Sequence, residues 1–127
     1  MDYALDHIHL RCSDVDASVA YYEKMFSAKE IGRGDAKGMP IIVLEMAGQR
    51  FSFSPRREGV DICVKPGEPG WGLYQIGLKV NDLDAAMAEL RGFGAEISRG
   101  PITVRDGLRV FFVEGPDAVE IEVMEYT

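Results

Sequence analysis

Two pairs of residues in this 127-residue chain have the side chains of a metal or proton-transfer site. His7 and His9 stand two apart near the start, and Glu120 and Glu122 stand two apart near the end. Strand side chains alternate between faces, so each pair projects from one side of its strand. Imidazole nitrogen and carboxylate oxygen together suit a divalent cation such as Zn, Ni, Co, Mn or Fe. A carboxylate beside such a cation can also move a proton.

The neighbours of these residues define the strands that carry them. Ile8, Leu10 and Cys12, then Phe51 and Phe53, then Ile76, Leu78 and Val80 form apolar rows expected to pack beneath helices, as do Leu108, Val110 and Phe112 and finally Val119, Ile121 and Val123. The opposite rows hold His7, His9 and Arg11; Arg50, Ser52 and Ser54; Gln75, Gly77 and Lys79; Arg109 and Phe111; and Glu120, Glu122 and Met124. An antiparallel sheet with one wet face shows this alternation without any site, so the functional reading rests on which residue types meet. Arg11, Lys79 and Arg109 could hold a substrate carboxylate or phosphate, with solvent-facing charge as the plain alternative for each.

A repeat sets the architecture. LDHIHLRCSDVDASVAYY returns as LYQIGLKVNDLDAAMAEL, and aligning His7–Ala20 with Gln75–Ala88 gives six identities in fourteen pairs, Asp14/Asp82 and Asp16/Asp84 among them. Two copies of one module are implied, since a solenoid needs about three. Module one (5–56) reads as a strand at 5–12, a helix at 14–26 and strands near 29–34, 40–46 and 50–55. Module two (73–126) reads as a strand at 73–80, a helix at 82–91 and strands near 95–99, 108–113 and 118–125. Each is βαβββ, which makes the fold α+β in a single domain spanning 1–127. Ser13 with Asp16 and Asn81 with Asp84 are the expected helix starts, and Gly92 and Gly94 end the second helix. Tyr22 and Phe26 fit the apolar stripe of the first helix. The Pro- and Gly-rich stretch 57–72 reads as a linker, and GPITVRDG at 100–107 as a long loop near a binding site. Gly32-Arg33-Gly34 and Gly70-Trp71-Gly72 read as turns.

A net charge of −7 and a pI near 4.8 oppose binding to a nucleic-acid backbone. No apolar run approaches the length of a membrane helix, and the opening MDYALDHIHL lacks a signal-peptide pattern, so a soluble cytoplasmic protein with no membrane partner is expected. Cys12 and Cys63 are too few for a disulfide framework, and Cys12 lies in an apolar row as core.

LDHIHLRCSDVDASVAYYEKMF resembles the opening of the vicinal oxygen chelate superfamily, and FFVEGPDAVEIEVMEY its closing motif. The superfamily includes glyoxalase I, methylmalonyl-CoA epimerase, extradiol dioxygenases, fosfomycin resistance proteins and bleomycin-sequestering proteins. The resemblance implies paired βαβββ modules whose sheet curls into a cup with helices outside. It also implies a small-molecule ligand and, commonly, a homodimer. Carried over residue by residue, it puts metal ligands at His7, Gln75 and Glu122. The fourth position falls on Ser52, for which His9 is a substitute. Glu122 is also the catalytic carboxylate, with Glu120, otherwise a substrate-binding residue, and Glu45 as alternative bases.

Gln75 stands where the iron and thiol-transfer branches expect a second histidine, so extradiol cleavage and fosfomycin-type thiol transfer are disfavoured. Metal-stabilised proton transfer by a lyase or isomerase/epimerase of the glyoxalase I or methylmalonyl-CoA epimerase type is the leading reading. A metal-free protein that sequesters a small molecule is the alternative, suited to a cationic ligand by the acidic charge. A ferredoxin-like dimer fits poorly, because its half has one strand, not three, after the helix.

Overall fold

In each half of the repeat the first strand needs a parallel partner, and a parallel pair has to be joined by a crossover, which the helix begins. The computed structural model describes residues 1–2, 4–36, 38–56, 58–59 and 73–127. Most of the expected linker 57–72, Cys63 and the Gly70-Trp71-Gly72 turn lie outside the described residues. The chain divides into two compact units, Met1–Cys63 and Val64–Thr127.

The first unit runs β1 (Ile8–Arg11), α1 (Val15–Phe26), β2 (Lys29–Ala36), β3 (Met39–Met46) and β4 (Gln49–Ser54). The second runs β5 (Gln75–Lys79), α2 (Leu83–Gly92), β6 (Glu96–Arg105), β7 (Leu108–Glu114) and β8 (Glu120–Tyr126), with a 3-10 turn at Pro116–Ala118. Their sheet orders are β1-β4-β3-β2 and β5-β8-β7-β6. In both, the first strand pairs parallel with the last and the other pairs are antiparallel. The chain is therefore α+β with two βαβββ modules, each a helix on a four-stranded mixed sheet.

Burial follows the helix-facing rows. In the first unit α1 packs on β3 and β4. The Tyr22 ring lies 5.4 Å from that of Phe53, and Tyr22, Leu44, Phe51 and Phe53 are all buried. Phe26 is only partly buried at the helix end, 6.3 Å from the Tyr22 ring. In the second unit Leu83, Met87 and Leu90 of α2 are buried, as are Phe111, Val113, Ile121 and Val123. Each such side chain stabilises the fold by about 1.5–3 kcal/mol.

Several local expectations are corrected. The helix caps are Asp14, accepting from the Ala17 N–H at 3.0 Å, and Asp82, accepting from the Ala85 N–H at 2.9 Å, each one residue after the expected Ser13 and Asn81. A carboxylate in that place also complements the helix dipole. Gly92 stays helical, and Gly94 takes the positive φ of 89° that lets the chain leave α2. Gly32-Arg33-Gly34 lies within β2, and residues 100–105, expected as loop, continue β6 through repeated register shifts against β7. Ladder pairing overrides the local turn signal at both places.

The largest correction is on β7. Arg109 pairs with Glu125 and Phe111 with Val123, on the row that faces α2, so Leu108, Val110 and Phe112 take the opposite face. The sequence LRVFFVE is apolar on both sides through Val110–Val113, all four of which are buried, so alternation could not set its phase.

Candidate functional site

In the first unit the polar row begins one residue before the strand, because β1 starts at Ile8 and leaves His7 on the entering segment. The His7 Nδ1–H donates to Asp6 Oδ2 at 2.6 Å, which leaves Nε2 as the nitrogen open to a ligand. Metal-binding histidines commonly have one nitrogen fixed in this way by a carboxylate. The hydrogen bond to His7 holds the Asp6 carboxyl below its ordinary range. His9 is the register partner of Ser52 and shares a 2.7 Å hydrogen bond between its Nε2 and Ser54 Oγ, so only Nδ1 is available to anything else. Ser52 and Ser54 are buried rather than wet. Arg11 is exposed at the end of the row, and Glu45 faces Arg50 across β3 and β4.

Partial burial, then the nearby His7 and Arg11, hold His9 below its ordinary value of 6.5. The unfolded chain therefore binds more protons at this ring than the folded one. His9 contributes stability above about pH 6.5 that is lost as pH falls through the lowered folded value. Urea denaturation between pH 5 and 8 should show this fall in the intact protein and a shallower one in His9→Gln. Equal slopes would contradict it.

In the second unit the open face is set by register. Gln75 pairs with Glu120, and Gly77 with Glu122, while Phe112 pairs with both Glu122 and Arg99 on its two sides. The Gln75 Nε2 donates to Glu122 Oε2 at 2.7 Å. A carboxylate only accepts, so the amide nitrogen must point at Glu122 and the amide oxygen occupies the other arm of the planar group. That oxygen, Gln75 Oε1, is buried and has no hydrogen-bond partner among the described residues, and the same holds for Glu120 Oε2. Leaving such an acceptor unsatisfied costs about 1–3 kcal/mol, so these atoms mark where a cation or a donor is wanted. Amide and carboxylate oxygens suit a divalent cation, and the donors fit the metal that the family resemblance implies.

Glu120 is partly buried. Its Oε1 accepts from Arg99 Nη2 at 3.2 Å, and the Arg99 guanidinium sits 4.0 Å above the Phe112 ring. Lys79 is exposed on the same row. Arg109, expected there too, is instead on the helix side, where it makes a two-pronged contact with Asp84 at 2.9 and 3.2 Å and lies 3.5 Å from Glu125. The buried Glu125 in turn accepts the Leu83 N–H at 3.2 Å, so Arg109 serves the start of α2. Cys12 is buried with its Sγ 3.6 Å from the Leu10 carbonyl, as core.

Among the described residues, no three His, Cys, Asp or Glu side chains gather as a metal-binding group. The carried-over ligand positions fall as His7 and Ser52 in one unit and Gln75 and Glu122 in the other. Asp6 and Arg99 were missed in the sequence. The acid directly before His7 was the legible sign for Asp6, whereas Arg99 needed the register of β6.

A family model described as glyoxalase/bleomycin resistance protein/dioxygenase superfamily matches residues 4–123. The chain belongs to that superfamily. The uncharacterized protein YwbC of Bacillus subtilis strain 168 is 29% identical over 125 residues, covering 95% of this chain and 96% of the relative. A glyoxalase family protein from Bacillus cereus superposes with a TM-score of 0.78 at 16% identity, over 96% of this chain and 93% of that one. A mutant of the fosfomycin resistance protein FosX from Listeria monocytogenes, complexed with Mn(II) and 1S,2S-dihydroxypropylphosphonic acid, gives a TM-score of 0.75 at 19% identity, over 100% of this chain and 93% of that one. At these identities the two structures speak to the fold alone. No helix among the described residues is long and apolar enough to cross a membrane.

Proposed function

We propose that this chain is a divalent-metal-dependent lyase or isomerase/epimerase that moves a proton on a small oxygenated metabolite. His7, Gln75 and Glu122 are its ligands, with Ser52 or the Nδ1 of His9 at the fourth position. The metal, when bound, supplies Lewis-acid stabilisation of negative charge on substrate oxygen. The chain's own residues do the rest. Asp6 fixes the tautomer that leaves His7 Nε2 open, Gln75 Nε2 holds one oxygen of Glu122, and Glu122 Oε1 is the atom that takes and returns the proton. Arg11 and Lys79 are exposed cations able to receive an acidic substrate group.

One observation carries this reading: the Gln75 carbonyl oxygen is a buried acceptor that meets no donor among the described residues. FosX, a structural neighbour, is complexed with Mn(II), which supports a metal in a related fold. The sequestering alternative draws its support from Ser52, a buried neutral hydroxyl at one of the four ligand positions. The family resemblance also supports a homodimer.

The test is exchange of the carbon-bound proton beside the carbonyl, followed by NMR in deuterated water, for a panel of small α-hydroxy carbonyl compounds that includes glyceraldehyde. Metal-loaded protein should accelerate the exchange, and EDTA or Glu122→Gln should abolish it. Panel compounds that bind without any accelerated exchange would favour sequestration instead.

A further inference from the structure

We infer that Glu120, outside the ligand set carried over from the family, is an additional oxygen ligand of the cation, and that the site therefore takes a hard, oxygen-preferring ion such as Mn(II) in preference to Zn(II). The inference rests on the metal reading above.

Gln75 and Glu120 are direct register partners on the parallel pair β5 and β8, so their side chains leave the same face from neighbouring strands. Each ends in a buried oxygen with no hydrogen-bond partner among the described residues, Gln75 Oε1 and Glu120 Oε2. Neither group can satisfy the other, because both atoms only accept. Each is also held by its remaining arm, Gln75 by Glu122 at 2.7 Å and Glu120 by Arg99 at 3.2 Å. Stacking of Arg99 on Phe112 fixes that second clamp. The two unsatisfied oxygens thus belong to register partners whose other arms are hydrogen-bonded, and Gln75 lies against the Glu122 carboxylate. Two carboxylates and an amide carbonyl make an oxygen-rich donor set. Such sets favour Mn(II) or Mg(II), whereas Zn(II) is better served by nitrogen and sulfur.

The experiment uses the whole chain, stripped of metal and titrated with Mn(II), with bound ion read by electron paramagnetic resonance and Zn(II) titrated in parallel. Glu120→Gln should weaken Mn(II) binding at least tenfold and affect Zn(II) less. Glu120→Asp, which withdraws the oxygen but keeps the charge, should weaken Mn(II) binding at least threefold and carries the test if circular dichroism shows Glu120→Gln misfolded. Mn(II) binding that is lost in His7→Ala and Glu122→Ala yet unchanged in the folded Glu120 variants overturns the inference and leaves the metal reading standing. Binding that survives His7→Ala and fails in Glu120→Gln supports the inference while removing His7 from the proposed ligands. An intact chain that binds no Mn(II) overturns the inference. If Zn(II) still binds, the metal reading survives that result.

Discussion

Glu122→Ala is expected to lower divalent-metal affinity by on the order of a hundredfold or more, and to end any proton exchange the metal supports. Residues that merely orient a metal ligand are typically worth 10–100-fold in affinity, so removal of a charged ligand should reach the top of that range or pass it. The substitution also strips the Gln75 amide nitrogen of the acceptor it holds at 2.7 Å. With that anchor gone the amide is free to turn, which weakens a second ligand together with the first. Glu122→Gln separates the two effects, because its amide oxygen can still accept from Gln75 while the charge is lost. Calorimetric titration with Mn(II) checks both variants. Affinity within threefold of the intact protein in Glu122→Ala would remove Glu122 from the site.

Gly100→Ala should destabilise the fold by about 3 kcal/mol or more, a large share of the 5–15 kcal/mol typical of a domain. Gly100 lies on β6 at φ +106°, a conformation that residues with a Cβ rarely adopt. A Cβ there would lie 2.7 Å from the Phe111 Cβ, 2.8 Å from its Cα and 3.0 Å from the Val110 carbonyl oxygen. Those contacts are mostly backbone and cannot swing aside. The strand has to move off β7 at a point where Phe111 is fully buried. Thermal unfolding should fall by about 10 °C. A change of only one or two degrees would mean that β6 tolerates the displacement.

Much of the fold was legible because the repeat supplied two readings of the same module. Asp14 and Asp82 occupy matched places and cap matched helices, and the order strand, helix, three strands is the same in both units. What misled was local chemistry that pairing overrides. Glycines at 32 and 34 look like a turn yet lie in β2, and the loop expected at 100–107 is mostly β6. On β7 the run Val110–Val113 is buried on both faces, so period-two patterning had no phase, and Arg109 was put on the wrong side. Of the proposed site, the sequence offered His7, Gln75 and Glu122 as residue types, through the family resemblance. The supporting contacts were less legible: Asp6, the partner of His7, is signalled only by its place directly before it, and Arg99, the partner of Glu120, depends on the register of β6.

The central claim is that His7, Gln75 and Glu122 serve a divalent cation, and elemental analysis of protein purified without chelator tests it most directly. The account predicts close to one divalent metal per chain in the intact protein, and its loss in both His7→Ala and Glu122→Ala variants that remain folded. An intact protein that carries no divalent metal, acquires none when Mn(II), Zn(II), Ni(II) or Co(II) is added, and still binds small molecules would contradict it.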